Sequence, residues 1–125
     1  MRAIVSENAP KAIGPYSQGV DGGSLVFLSG QIPINPKTGN VDVASIEEQT
    51  EQVMKNLNSV LSAAGLGLSH VARCTVFLTD LSEFAAFNKV YGSFFSATPP
   101  ARTTVQVAKL PRDAKIEIDA IAIRD

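Results

Sequence analysis

Two short runs, Leu25-Val26-Phe27-Leu28 and Val76-Phe77-Leu78, constrain this chain most, because each is apolar at every position. Successive side chains of a strand point to opposite faces of a sheet, so strands of this kind need cover on both faces. Only two segments read as helices, enough to cover one face. The second face is therefore expected to pack against another subunit.

The remaining elements follow from period and punctuation. Gly14-Pro15 opens a first extended segment, and Asp21-Gly22-Gly23-Ser24 is a hairpin turn before a strand over Leu25 to Ser29. Asn35 to Asn40 reads as a second turn or loop. Ser45 to Ala64 is the clearest helix. Ser45 caps it with Glu48 three residues on, and Ile46, Thr50, Val53, Leu57, Val60 and Ala64 form its apolar stripe. Gly65 ends it where a left-handed residue is needed. Val71 to Thr79 reads as a strand, with Ala72, Cys74, Val76 and Leu78 on one face and Val71, Arg73, Thr75 and Phe77 on the other. Asp80 with Glu83 predicts a second capping box, on a helix that buries Leu81, Phe84, Phe87, Tyr91 and Phe94 and stops at Thr98-Pro99-Pro100. Thr103 to Ala108 and Ile116 to Ile123 are the last strands. The expected architecture is α+β, with two helices on one face of a mixed sheet.

At 125 residues the chain suits one domain, residues 1–125, around one core. A net charge of −1 offers no basic excess for a phosphate backbone, so no nucleic-acid partner is expected. Met1 to Pro10 carries Glu7 and no apolar run, and reads as neither signal peptide nor anchor. Apolar runs are too short for a membrane span. The single cysteine, Cys74, fits a reducing cytoplasm, and the single histidine, His70, disfavours a zinc site.

Few groups remain for chemistry. Cys74 reads as a buried hydrophobe, and His70 has no acid near it in sequence. No Walker loop or dinucleotide fingerprint is present. Arg102 follows the stiff Pro99-Pro100-Ala101 and suits a bidentate carboxylate contact, although an exposed arginine at a strand start has the same pattern. Glu117 lies on the face of its strand that continues through Asp119, Ile121 and Ile123. A carboxyl on a partly apolar surface has a raised pKa and acts near neutrality. Tyr16 after Gly14-Pro15, and Gly30 at a strand end, are weaker signals.

Several ordered segments carry a resemblance. They include Ala12 to Gly19, Ser29-Gly30-Gln31-Ile32-Pro33, the Gln49 to Gly65 helix, Thr75 to Asp80, Phe87 to Tyr91, Pro100-Ala101-Arg102 and Ile116 to Ala122. Along nearly its whole length the chain resembles the RidA/YjgF family of imine/enamine deaminases. The resemblance implies a chorismate-mutase-like fold and a homotrimer with sites in clefts between subunits. It implies hydrolysis of 2-imino acids, namely 2-iminopropanoate, 2-iminobutanoate and their enamines, to keto acid and ammonia without a cofactor. It places the carboxylate-binding arginine on Arg102 and the water-positioning glutamate on Glu117. Pocket roles fall on Tyr16, Gly30 and Asn88. Many members carry a cysteine where this chain has Thr104, whose backbone amide is the implied ligand contact. Two readings compete: a ligand-binding or regulatory trimer without turnover, and an endoribonuclease or translation inhibitor using a basic rim of Lys109, Arg112, Lys115 and Arg124. A holdase-like chaperone role is a further alternative.

Overall fold

A computed structural model describes all residues, 1–125. It contains strands β1 (Arg2–Ile4), β2 (Gly19–Asp21) and β3 (Leu25–Gln31), helix α1 (Ile46–Ala63), and strand β4 (Val71–Leu78). Helix α2 (Phe84–Ser93) and strands β5 (Ala101–Gln106) and β6 (Ile116–Ile123) follow. One sheet has the order β1-β2-β3-β6-β4-β5; β4 and β5 run parallel and every other pair antiparallel. The α+β arrangement with two helices on a mixed sheet is thus present. No helix is long and apolar enough to cross a membrane.

Helix α1 forms where its caps and stripe predict. The Ser45 hydroxyl accepts from the Glu48 amide at 3.1 Å and donates to the Glu48 carboxylate at 3.0 Å. Gly65 has φ +76°, and Leu66 N–H returns to the Leu61 carbonyl at 2.9 Å, closing the helix end. Val53, Leu57, Val60 and Leu61 are buried against Val26, Val76, Ile116 and Ile118 of the sheet in one core. Each such side chain contributes about 1.5–3 kcal/mol by leaving water.

The opposite face has no helix. Leu25 pairs with Ile123 and Phe27 with Ile121 across β3 and β6, and Phe77 pairs with Val105 across β4 and β5. Phe27 and Ile123 are 44% and 47% exposed in the single chain. A face this apolar is what the doubly apolar runs led us to expect.

Several local expectations need correction. β1 was not foreseen, because three residues at a chain end carry no period. β5 starts two residues early, at Ala101, and ends at Gln106. Val71 is buried with Cys74, not turned away with Arg73, because a register shift between Val71 and Arg73 inserts a bulge. Asp80 caps a single 3₁₀ turn, accepting from Ser82 at 2.9 Å, and α2 begins only at Phe84. That turn leaves Leu81 and Phe84 partly exposed, so α2 buries only Phe87 and Tyr91 of the expected stripe. The helix ends at Ser93, well before the prolines.

Candidate functional site

Glu117 sits on β6 between Ile116 and Ile118, which are buried beneath the helices. Strand alternation turns it to the other face, beside Asp119. There it lines a cleft of about 510 Å³ with Tyr16, Gly30, Lys11, Ile34 and Arg112, and it is the cleft's one acidic residue. Burial pushes the Glu117 carboxyl above its ordinary pKa, and the neighbouring Asp119 charge adds to the rise. Gly30 lies so close that a Cβ built there would land on the Glu117 carboxylate. A register shift in β3 between Leu28 and Gln31 brings the glycine to this place. Tyr16 stands 53% exposed, its hydroxyl accepting from Ile13 N–H at 3.3 Å. Gly14, at φ +124°, supplies the turn that aims it.

Loops make much of the cleft wall, and three buried amides hold them. Gln18 accepts from Ser6 N–H at 2.6 Å and donates to the carbonyls of Ser6 at 3.0 Å and Pro10 at 2.8 Å. Asn56 donates to Ile32 and Ile34 carbonyls at 3.2 and 2.9 Å. Gln49 accepts from Lys115 N–H at 2.9 Å and donates to the Val43 carbonyl at 3.0 Å. Our sequence reading gave none of them a role. Gln49 and Asn56 left a signal, since both interrupt the apolar stripe of α1, where a polar group needs a partner. Gln18 left none.

Arg102 is elsewhere. Its β5 position pairs with Cys74, whose side chain points into the core, so Arg102 extends on the helix side of the sheet. Its guanidinium carbon lies 5.5, 5.1 and 4.9 Å from the ring centroids of Phe84, Phe87 and Tyr91. None of the chain's five ion pairs includes it. Asn88, half-buried, follows Phe87 on α2 and lies one helical turn from Phe84 and Tyr91. Val107 N–H bonds the Leu78 carbonyl, so by alternation Thr104 N–H faces away from β4, over the free sheet edge. The Thr104 hydroxyl is buried without a partner.

The expected residues therefore form two groups. Tyr16, Gly30 and Glu117 share one face; Asn88, Arg102 and Thr104 gather at the β5 edge on the other. Within one chain the sheet and strand β4 separate Arg102 from Glu117. Arg112, expected on a basic rim, lines the Glu117 cleft instead. The other rim cations are paired: Lys109 with Asp113 at 3.7 Å, Lys115 with Glu83 at 3.6 Å, and Arg124 with Asp21 at 2.6 Å. His70 approaches Asp125 at 3.5 Å, far along β6 from Glu117. Cys74 is buried, and burial pushes its thiol pKa up, which disfavours the thiolate. No three His, Cys, Asp or Glu side chains cluster as a metal cage requires.

A family model described as Endoribonuclease L-PSP matches residues 6–124. Protein DfrA of Myxococcus xanthus is 58% identical over 124 residues, covering 98% of this chain and 95% of that one. The 2-iminobutanoate/2-iminopropanoate deaminase of Escherichia coli K12 is 51% identical over 126 residues, covering 98% of each. The crystal structure of E. coli TdcF with bound serine superposes with TM-score 0.97 at 48% identity, over the whole of both chains.

Proposed function

Because this chain belongs to the Endoribonuclease L-PSP family, also called RidA/YjgF, we propose that it hydrolyses short 2-imino acids and their enamines to 2-keto acids and ammonia. The observation that carries this reading is Glu117, a carboxyl raised by burial in a cleft with no other acid. A base of that kind holds its proton more tightly than an ordinary glutamate, which makes it the better acceptor of a proton from water and a group able to pass it to nitrogen.

In this reading the substrate's carboxylate meets the Arg102 fork, with the Thr104 amide and Asn88 beside it. Glu117 holds water against the C=N carbon and takes its proton as the C–O bond forms. Glu117 returns that proton to the imine nitrogen to give the carbinolamine, then carries the carbinolamine's hydroxyl proton to nitrogen as the C–N bond breaks, so ammonia leaves and the carbonyl remains. The substrate is already electrophilic, so orientation of water and imine supplies much of the acceleration. Tyr16 and the backbone at Gly30 line the Glu117 side. Two chains complete the site, Arg102 from one and Glu117 from the next. The uncovered sheet face supports this assembly, which we take to be a homotrimer. Serine bound to TdcF supports a pocket for a small amino-acid-like ligand. The single buried thiol supports a reducing compartment such as the cytoplasm.

The family's description favours a second reading, an endoribonuclease. Against it, three of the four rim cations are already paired with acids, and the cleft contains no histidine. The test couples a serine or threonine dehydratase to this protein and measures how fast the imine disappears. Arg102→Ala and Arg102→Lys are both expected to lose turnover, since lysine lacks the planar fork. Imine loss no faster with the wild-type chain than without it rejects the reading, and wild-type rates in Arg102→Ala reject Arg102 as the carboxylate anchor; salt-dependent RNA cleavage with no imine hydrolysis favours the nuclease.

A further inference from the structure

The Arg102 guanidinium is gripped unusually. It is half-buried, where a cation ordinarily finds a carboxylate. It has none, and it donates no hydrogen bond within the chain, whereas Arg73 on the opposite face donates to Thr103 Oγ1 at 2.8 Å. Instead, three ring centroids lie within 5.5 Å of its central carbon. The rings are themselves ordered as a row: Phe84 to Phe87 is 6.3 Å and Phe87 to Tyr91 is 5.3 Å. Phe87 and Tyr91 are buried, while Phe84 is 38% exposed and closes the outer side.

We propose that Phe84, Phe87 and Tyr91 are positioning residues that hold Arg102 by its π-faces and leave its N–H edges free for a substrate carboxylate. This deepens the deaminase reading and rests on it. The physical reason lies in competition. A carboxylate partner would fix the guanidinium equally well, but it would occupy the donors that substrate needs and neutralise the charge. Aromatic faces attract the cation through their quadrupoles, and a guanidinium stacked on them keeps its in-plane N–H donors for a carboxylate. A planar guanidinium suits such a seat better than an ammonium, whose donors point in all directions.

The spacing Phe84, Phe87, Tyr91 follows from one face of α2, at steps of three and four. The delayed start of that helix leaves Phe84 on its first turn, at the rim over Arg102. The same three residues would otherwise be an ordinary core stripe; Phe84, too exposed to act mainly in the core, is the one that separates the two roles.

The experiment replaces Phe84 by Leu, Tyr and Trp in the full chain. It measures kcat and KM with imine generated in situ, Kd for 2-oxobutanoate by calorimetry, and Tm. Loss of one ring face in Phe84→Leu is expected to raise both KM and Kd about two- to fivefold, with kcat and Tm little changed. Phe84→Tyr and Phe84→Trp restore wild-type binding. A ring-fluorinated phenylalanine at position 84 keeps the shape and weakens the π-face, so it moves KM in the same direction as Leu even if Leu fails to fold. Unchanged KM and Kd in the leucine and fluorinated variants overturn the proposal. So does a rise in all variants that tracks Tm. Two controls keep the outcomes apart: absence of imine hydrolysis by the wild-type chain rejects the deaminase reading and wild-type turnover in Arg102→Ala rejects Arg102 as its anchor, whereas loss of turnover in Arg102→Ala beside an unaffected Phe84→Leu rejects the aromatic seat alone.

Discussion

As the proposed base, Glu117 would accept a proton from water only after losing its own. Burial and the Asp119 charge both keep that proton on, so the value in the folded chain lies above that of an ordinary glutamate. If Glu117 is the base, kcat/KM falls with decreasing pH through a point displaced upward from the usual carboxylate range, and this limb reports the free enzyme. Asp119→Asn removes the like charge but keeps a side-chain oxygen for Thr75 N–H, which Asp119 Oδ1 accepts at 3.1 Å. The acid limb should then move to lower pH in a rate profile; an unmoved limb assigns the titration to another group. Gly30 offers a steric test of the same carboxylate. Its φ is not positive, so alanine fits the backbone, but the added methyl displaces Glu117. We expect Gly30→Ala to lower kcat/KM by about tenfold to a hundredfold. Circular dichroism and Tm should stay near wild type. Alternation alone placed Glu117 opposite Ile116 and Ile118 and beside Asp119, because β6 is regular over its length. Its contact with Gly30 was not legible, since that depends on a register shift in a different strand.

At the scale of elements, α1 was the most legible part of the chain and α2 the least. Ser45, Glu48 and Gly65 act within a few residues of one another, and eighteen residues of period average out local exceptions. In α2, one 3₁₀ turn redirects the entry and changes which rings are buried, an outcome decided by packing and not by spacing. Val71 was misplaced for a similar reason: one bulge reverses the alternation that precedes it. The loops around the Glu117 cleft carry no period at all, so the amides that tie them stayed unread. Asn56 tests their importance. It is fully buried, and Asn56→Ala removes the donor to the Ile34 carbonyl and leaves the Ile32 carbonyl only the Ile34 N–H at 2.7 Å. We expect a loss of about 1–3 kcal/mol in urea unfolding. Because Ile32 and Ile34 line the cleft, kcat/KM should fall in the same variant at temperatures where it remains folded. Destabilisation with full activity would show that the loop is held by other contacts.

For the whole molecule, the two runs of doubly apolar sequence carried information that no single motif did. They pointed to a partner, and the folded chain leaves Leu25, Phe27, Val105 and Ile123 exposed on the face without helices. The same sheet that creates this face also keeps Arg102 and Glu117 apart, so under the proposed function one device, a second copy, would answer both. This can be tested without knowing the interface in detail. Arg102→Ala and Glu117→Ala should each be inactive alone. Unfolded together in equal amounts and refolded, they form mixed oligomers. At an interface where the Glu117→Ala subunit supplies Arg102 and the Arg102→Ala subunit supplies Glu117, both groups are intact. In a cyclic oligomer with random mixing, about one quarter of interfaces meet that condition, so about a quarter of wild-type activity should return. Mixing without refolding should restore activity only as fast as subunits exchange. If the site belongs to one chain, no mixture recovers any rate, because every chain lacks one group. A parallel sedimentation run that finds mixed oligomers but no activity would therefore place Arg102 and Glu117 in the same subunit's site, or in none.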